Sequence, residues 1–81
     1  MIKLTEDEKV ILRNMDKNFK WIARDGDGSL FVYCDKPSKF PYMWNNKRNT
    51  DWAFLNVFAH LFQSIKWEDE EPYFIEDLLK M

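Results

Sequence analysis

The chain has 81 residues and 9.9 kDa, of which 46% are hydrophobic, 17% aromatic and 32% charged. These values predict one globular domain, residues 1–81, and exclude a disordered chain, a two-domain enzyme, a collagen-like chain and a disulfide scaffold. A formal net charge of −2 and a pI near 5.3 speak against a domain built to neutralise duplex phosphates.

In chain order, Thr5 to about Asn18 reads as a helix. Thr5 can cap it, Glu8 completes a capping box, and Glu6, Asp7 and Glu8 suit the positive helix start. Val10, Ile11, Leu12 and Met15 give it an apolar stripe. Phe19 to Arg24 then alternates like a strand, with Phe19, Trp21 and Ala23 on one side. Asp25-Gly26-Asp27-Gly28 follows, and Asp-Gly pairs favour a hairpin turn. Leu30 to Cys34 is the second strand. Leu30, Val32 and Cys34 face one side, Phe31 and Tyr33 the other, so apolar character on both faces predicts a strand covered on both sides at least in part.

Asp35 to Asn49 reads as a long loop, broken by Pro37 and Pro41 and rich in turn-forming Asn45, Asn46 and Asn49. It nevertheless holds Phe40, Tyr42, Met43 and Trp44, which either close the core or bind something. From Thr50 or Asp51 to about Ser64 the spacing of Trp52, Leu55, Phe58, Ala59, Phe62 and Ile65 predicts a second helix, the most buried element. Lys66-Trp67 extends as an edge strand, and Pro72 opens a short last helix with Ile75, Leu78 and Leu79 on its apolar side. The expected fold class is α+β: a small antiparallel β-hairpin or three-stranded sheet packed against two to three helices.

Chemistry-bearing patterns are sparse. Asp25 to Ser29 resembles the start of a calcium loop, but Leu30 and Lys36 stand where Gly and Glu are needed. Cys34 and His60 are the only thiol and imidazole, too few for a closed metal site, so no metal and no cofactor are expected. Phosphate loops, dinucleotide fingerprints and nucleophile elbows are absent, and no enzyme activity is expected. The single cysteine fits a cytoplasmic setting. No run of 18 apolar residues and no leader core in residues 1–18 are present, so neither a membrane span nor a secretory signal is expected.

Charge is segregated along the chain. Residues 36–50 carry Lys36, Lys39, Lys47 and Arg48 and no acid, whereas residues 51–81 carry seven acids against Lys66 and Lys80. The run Glu68-Asp69-Glu70-Glu71, with Glu76 and Asp77, reads either as a solvated turn and helix start or as a negative patch that docks on a basic protein. The basic aromatic stretch from Lys36 to Arg48 reads as core closure, as a protein contact anchored by Tyr42 and Trp44, or as a single-strand nucleic-acid surface using Lys36, Lys39, Lys47 and Arg48.

The runs Trp21-Ile-Ala-Arg-Asp-Gly-Asp-Gly-Ser-Leu-Phe-Val-Tyr33 and Trp67-Glu-Asp-Glu-Glu-Pro72, with Lys36-Pro37, Trp44 and the Leu61–Trp67 and Ile75–Leu78 stretches, resemble a group of short uncharacterised proteins encoded by phages and prophages of Gram-positive bacteria. The resemblance spans most of the chain. It implies a phage context and carries no established catalytic residues. By analogy with small phage proteins such as anti-CRISPR proteins, it leads to the expectation of a protein-binding inhibitor of a host defence factor, a CRISPR nuclease most concretely, in the host cytoplasm. Alternatives are a single-strand nucleic-acid accessory protein and an assembly partner; nucleic acid is not expected to be the main partner, and no membrane partner is expected.

Overall fold

The computed structural model describes residues 2–45 and 50–81. Among these, the chain forms two α-helices, six short strands and one 3-10 turn in an α+β arrangement.

Helix α1 spans Glu6–Arg13 and begins as the sequence predicts. The Thr5 hydroxyl accepts from the Glu8 N–H at 3.2 Å, and Glu8 Oε1 accepts from the Thr5 N–H at 3.0 Å. The helix stops earlier than Asn18, because the Asn14 side chain donates back to the Val10 carbonyl and caps the last turn.

Strands β1 (Trp21–Arg24) and β2 (Leu30–Tyr33) form the expected antiparallel hairpin, with Arg24 opposite Leu30. In the turn between them Gly28 adopts φ 92°, a backbone state that side chains disfavour. Gly26 is needed for a different reason: its N–H donates to the Tyr42 carbonyl, and a Cβ there would stand 3.2 Å from that oxygen.

Beyond the hairpin the structure departs from the expectations. Within the expected loop, β3 (Ser38–Lys39) and β4 (Trp44–Asn45) form a second small antiparallel sheet. The expected turn residues Asn46 and Asn49 lie outside the described residues. The predicted helix over residues 50–64 does not form. Trp52–Phe54 is strand β5, paired antiparallel to β2, and Asn56–Phe58 is a single 3-10 turn. The expected edge strand at Lys66-Trp67 is turn, and Pro72 precedes strand β6 (Tyr73–Phe74), which pairs with β1. Helix α2 is confined to Ile75–Leu79. The main sheet therefore has four strands, in the order β5-β2-β1-β6, where two or three were expected.

The missing helix has a physical cause. Arg24 leaves β1 on the same face as Ile22 and donates all five of its N–H groups to carbonyls. Nε reaches Ile65 O at 2.8 Å; Nη1 reaches Gly28 O and Ala59 O; Nη2 reaches Leu61 O and Phe62 O. Carbonyls that a helix would direct to its own N–H groups point at this guanidinium instead. Phe62 also takes φ 56°, which ends any helix at that residue. Its N–H donates at 2.6 Å to Glu8 Oε2, so one buried carboxylate joins the start of α1 to this turn.

The period-2 alternation of the strands sorts the interior into two layers. Ile22, Leu30 and Val32 pack on the inner face with Leu12, Phe62, Ile65, Ile75 and Leu78. Phe62, Ile22, Leu30 and Ile65 are the largest side chains wholly removed from water, each stabilising by about 1.5–3 kcal/mol before entropy is counted. On the outer face Ala23, Tyr33 and Trp44 form a smaller cluster flanked by Trp21, Phe31 and Trp67. Both faces of β2 are covered, the outer one in part, since Phe31 is half-buried.

A candidate binding cleft on the outer face of the sheet

Register places aromatic residues in rows across the outer face. Trp21 pairs with both Tyr33 and Phe74, and Tyr33 pairs with Trp52. Ala23 pairs with Phe31, and Phe31 with Phe54. Phe31 meets Phe54 at 4.7 Å between ring centroids and Trp52 at 5.7 Å, and Trp52 meets Phe54 edge-on at 5.5 Å. Next to this cluster lies a cleft of about 190 Å³ lined by Asp25, Phe31, Tyr33, Trp44, Trp52 and Phe54. Met43 and Asn45 from the β3–β4 hairpin close one side.

The far end of the cleft is polar. Asp25 is only 7% exposed, and its Oδ1 accepts from the Trp44 N–H at 2.9 Å. Burial pushes its carboxyl above the usual range; the Trp44 hydrogen bond opposes this, and the neighbouring Asp27 charge adds to it. Burial, and then the Asp25 charge, raise the Tyr33 phenol, which stays protonated. Tyr33 Oη lies 3.5 Å from the Trp44 carbonyl. The Trp44 indole Nε1–H is buried with no acceptor among the described residues. This constellation offers one carboxylate and several π faces. A base–nucleophile pair is not part of it.

A larger groove of about 460 Å³ lies between the end of α1 and α2. Its walls are mainly apolar, including Leu12, Met15, Phe19 and Leu79, and Lys17, Lys20 and Glu76 border it. Asp16 also borders it.

The sequence-predicted contact residues separate into different roles. Tyr42 is 84% exposed, as an anchor should be, whereas Trp44 is 3% exposed and belongs to the core. Trp44 is therefore corrected from contact residue to core residue: the β3–β4 hairpin folds it onto Ala23 and Tyr33. Asp69 is committed internally, its Oδ2 accepting from the Lys66 N–H and, at 2.7 Å, from the Tyr73 hydroxyl. Burial, and then that bond and the Asp69 charge, push the Tyr73 phenol up to about 12. Glu71 lies 3.7 Å from Lys36, and Glu76 lies 4.0 Å from Lys80. Glu68, Glu70 and Asp77 are exposed and form no ion pair among the described residues.

The two lysines of the basic stretch that are described are also occupied. Lys39 Nζ donates to the Trp67 and Asp69 carbonyls at 2.6 and 2.9 Å and sits 4.3 Å over the Trp67 ring. Lys36 Nζ lies 5.7 Å over the Trp21 ring. Lys47 and Arg48 lie outside the described residues. Folding thus brings Lys36 and Lys39 of the basic stretch against the acidic one.

Cys34 is half-buried, and burial together with the Asp51 and Asp35 charges raises its thiol, against the direction a nucleophile needs. His60 is exposed. No group of three or more metal-ligating side chains gathers among the described residues. No helix among them is long and apolar enough to cross a membrane.

Asp25, Phe31, Trp52 and Phe54 were not singled out as contact residues from the sequence. The strict alternation Phe31/Tyr33 and Trp52/Phe54 was the available signal, and for the second pair it competed with a helical stripe. No protein-family model matches the chain, and no curated protein or solved structure matches it either.

Proposed function

We propose that the chain is a non-catalytic protein-binding module of phage origin that inhibits a host defence factor by docking on it, with a CRISPR nuclease as the most concrete target and the host cytoplasm as the place of action. The setting is supported by the sequence resemblance. The docking role is supported by one structural observation: Met43, Trp52 and Phe54 line a single cleft and remain 44%, 52% and 61% exposed. Tyr42, next to Met43, and Val57, three residues after Phe54, are more exposed still. A chain of this size gains nothing in stability from leaving so many large apolar groups in water, and such concentrations mark contact surfaces. Glu68 and Glu70 would add long-range attraction to a basic partner and speed the encounter.

The test is co-purification with, and cleavage assays against, a panel of CRISPR nucleases. Binding and inhibition that vanish in a W52A/F54A variant support the proposal. Failure to bind or inhibit any of them rejects that target. A second reading has its own observation: Lys36 stands over Trp21 in a face of ordered aromatic rows, an arrangement on which single-stranded nucleic acid can stack. It requires a salt-sensitive mobility shift with single strands, and no shift at low salt removes it.

A further inference from the structure

We propose that the outer-face cleft is a guanidinium pocket, which takes one arginine side chain of a protein partner against the Asp25 carboxylate and the faces of Trp52, Phe54 and Phe31. The inference rests on the docking role proposed above and names the chemistry of the anchor.

Asp25 carries the argument. Carboxylates this deeply buried are normally paired with a cation. Asp25 has one backbone N–H donor and no cation within ion-pair distance among the described residues. The described cations of this sheet and hairpin are committed to other groups. Arg24 is spent on five carbonyls on the opposite face, Lys36 faces Glu71, and Lys39 clamps the residue 67–69 turn. An incoming cation would therefore meet a carboxylate that has no counter-charge among the described residues.

The walls select the kind of cation. Three aromatic rings stand within 4.7–5.7 Å of one another beside the carboxylate. A guanidinium is planar, stacks on such rings, sheds water more readily than an ammonium, and presents a fork of donors to a carboxylate. Asp25 can accept that fork, because each oxygen has two lone pairs and the Trp44 N–H occupies only one. The volume fits the same reading: about 190 Å³ suits a single side chain, whereas small-molecule sites begin near roughly 300 Å³. An apolar anchor would bury Asp25 further without a partner, and an anionic one would face its charge.

The test is a titration of the whole protein with N-acetyl-arginine N-methylamide, followed by the Trp52 indole resonance in two-dimensional NMR. Its lysine counterpart and its neutral citrulline counterpart are titrated in parallel. A saturable shift is expected with the arginine compound at millimolar concentration, weaker binding with lysine, and none with citrulline. The variant D25N keeps an acceptor for the Trp44 N–H and removes the charge. It should fold with an unchanged NMR fingerprint elsewhere and bind at least about tenfold more weakly, as expected for loss of a charge-assisted contact. F54A, at an exposed position, should also weaken binding. Equal binding by citrulline, equal binding by D25N, preference for lysine, or no saturation with arginine would each overturn the proposal. Probe binding without capture of any nuclease would leave the pocket standing and reject only that target.

Discussion

Arg24→Lys tests the account of why the residue 59–65 segment is not helical. The native guanidinium has five N–H groups and uses each on a carbonyl, four of them in the residue 59–65 segment. A lysine ammonium has three, on a point rather than a fork, so at least two partly buried carbonyls lose their donor. An unsatisfied buried carbonyl costs about 1–3 kcal/mol; with allowance for partial exposure, the expected loss is about 2–4 kcal/mol. For a domain of this size that corresponds to a fall in Tm of roughly 10–25 °C. Urea denaturation at constant pH measures it as a lower midpoint with an unchanged slope. Amide exchange should show the loss first at residues 59–65, because those turns depend on Arg24. A change under about 0.5 kcal/mol, the size of an ordinary surface substitution, would refute the reasoning. So would a variant in which residues 59–65 stay as protected as before.

Glu8→Gln replaces one of two carboxylate acceptors with a donor facing the Thr5 or Phe62 N–H, and should cost about 1–3 kcal/mol in the same denaturation assay. Gly28→Ala forces a side chain into φ 92° with no clash to relieve, and should cost about 1–3 kcal/mol of backbone strain. Asp25→Asn should change how stability depends on pH. The folded-state carboxyl is raised, chiefly by burial, so between the usual carboxylate range and its raised value the native state holds more proton than the unfolded chain. Stability attributable to Asp25 therefore falls as pH rises through that window. The variant lacks this slope and should gain on the parent across it; a difference that stays flat with pH would contradict the burial of the charge.

Where local chemistry decides, the sequence is a reliable guide. The Thr5–Glu8 capping box involves residues three apart, and the Asp-Gly turn closes strands only a few residues long. Both are read directly from neighbouring side chains. The segment from Asp51 to Ser64 is different, because its stripe satisfies a helical period while Trp52-Ala53-Phe54 also satisfies a strand period. The choice is made by residues far away in the chain. β2 offers an edge that Ala53 pairs across, through Val32, and Arg24 takes the carbonyls of Ala59, Leu61 and Phe62. The same holds for α2, whose start is shortened because Phe74 pairs with Trp21. The site was legible only in part. Tyr42 is exposed as its loop position suggests, but Trp44 and Asp25 came inside together when the β3–β4 hairpin folded over the sheet and gave Asp25 a backbone donor.

The two faces of the sheet are covered to different extents, and this difference is what the proposed docking role rests on. The inner face is sealed by α1, α2 and the Phe62 turn, all drawn in by side chains with almost no exposure. Among the described residues the outer face is covered by the β3–β4 hairpin and Trp67; the hairpin is held down by Lys39 on the residue 67–69 turn, and Lys36 just before it faces Glu71. The acidic run is thus partly a clasp, and its remaining charges, Glu68 and Glu70, lie at the rim of a structure already locked. The hairpin lays Trp44 over Ala23 and Tyr33, while Trp52 and Phe54 on β5 stay more than half exposed beside a carboxylate with no cation in ion-pair distance among the described residues. Stability alone would favour a charged or polar residue at both positions on an outermost strand. Large aromatics at both, next to an acid without an ion-pair partner among the described residues, fit the proposed docking of a second molecule that completes both the apolar surface and the charge.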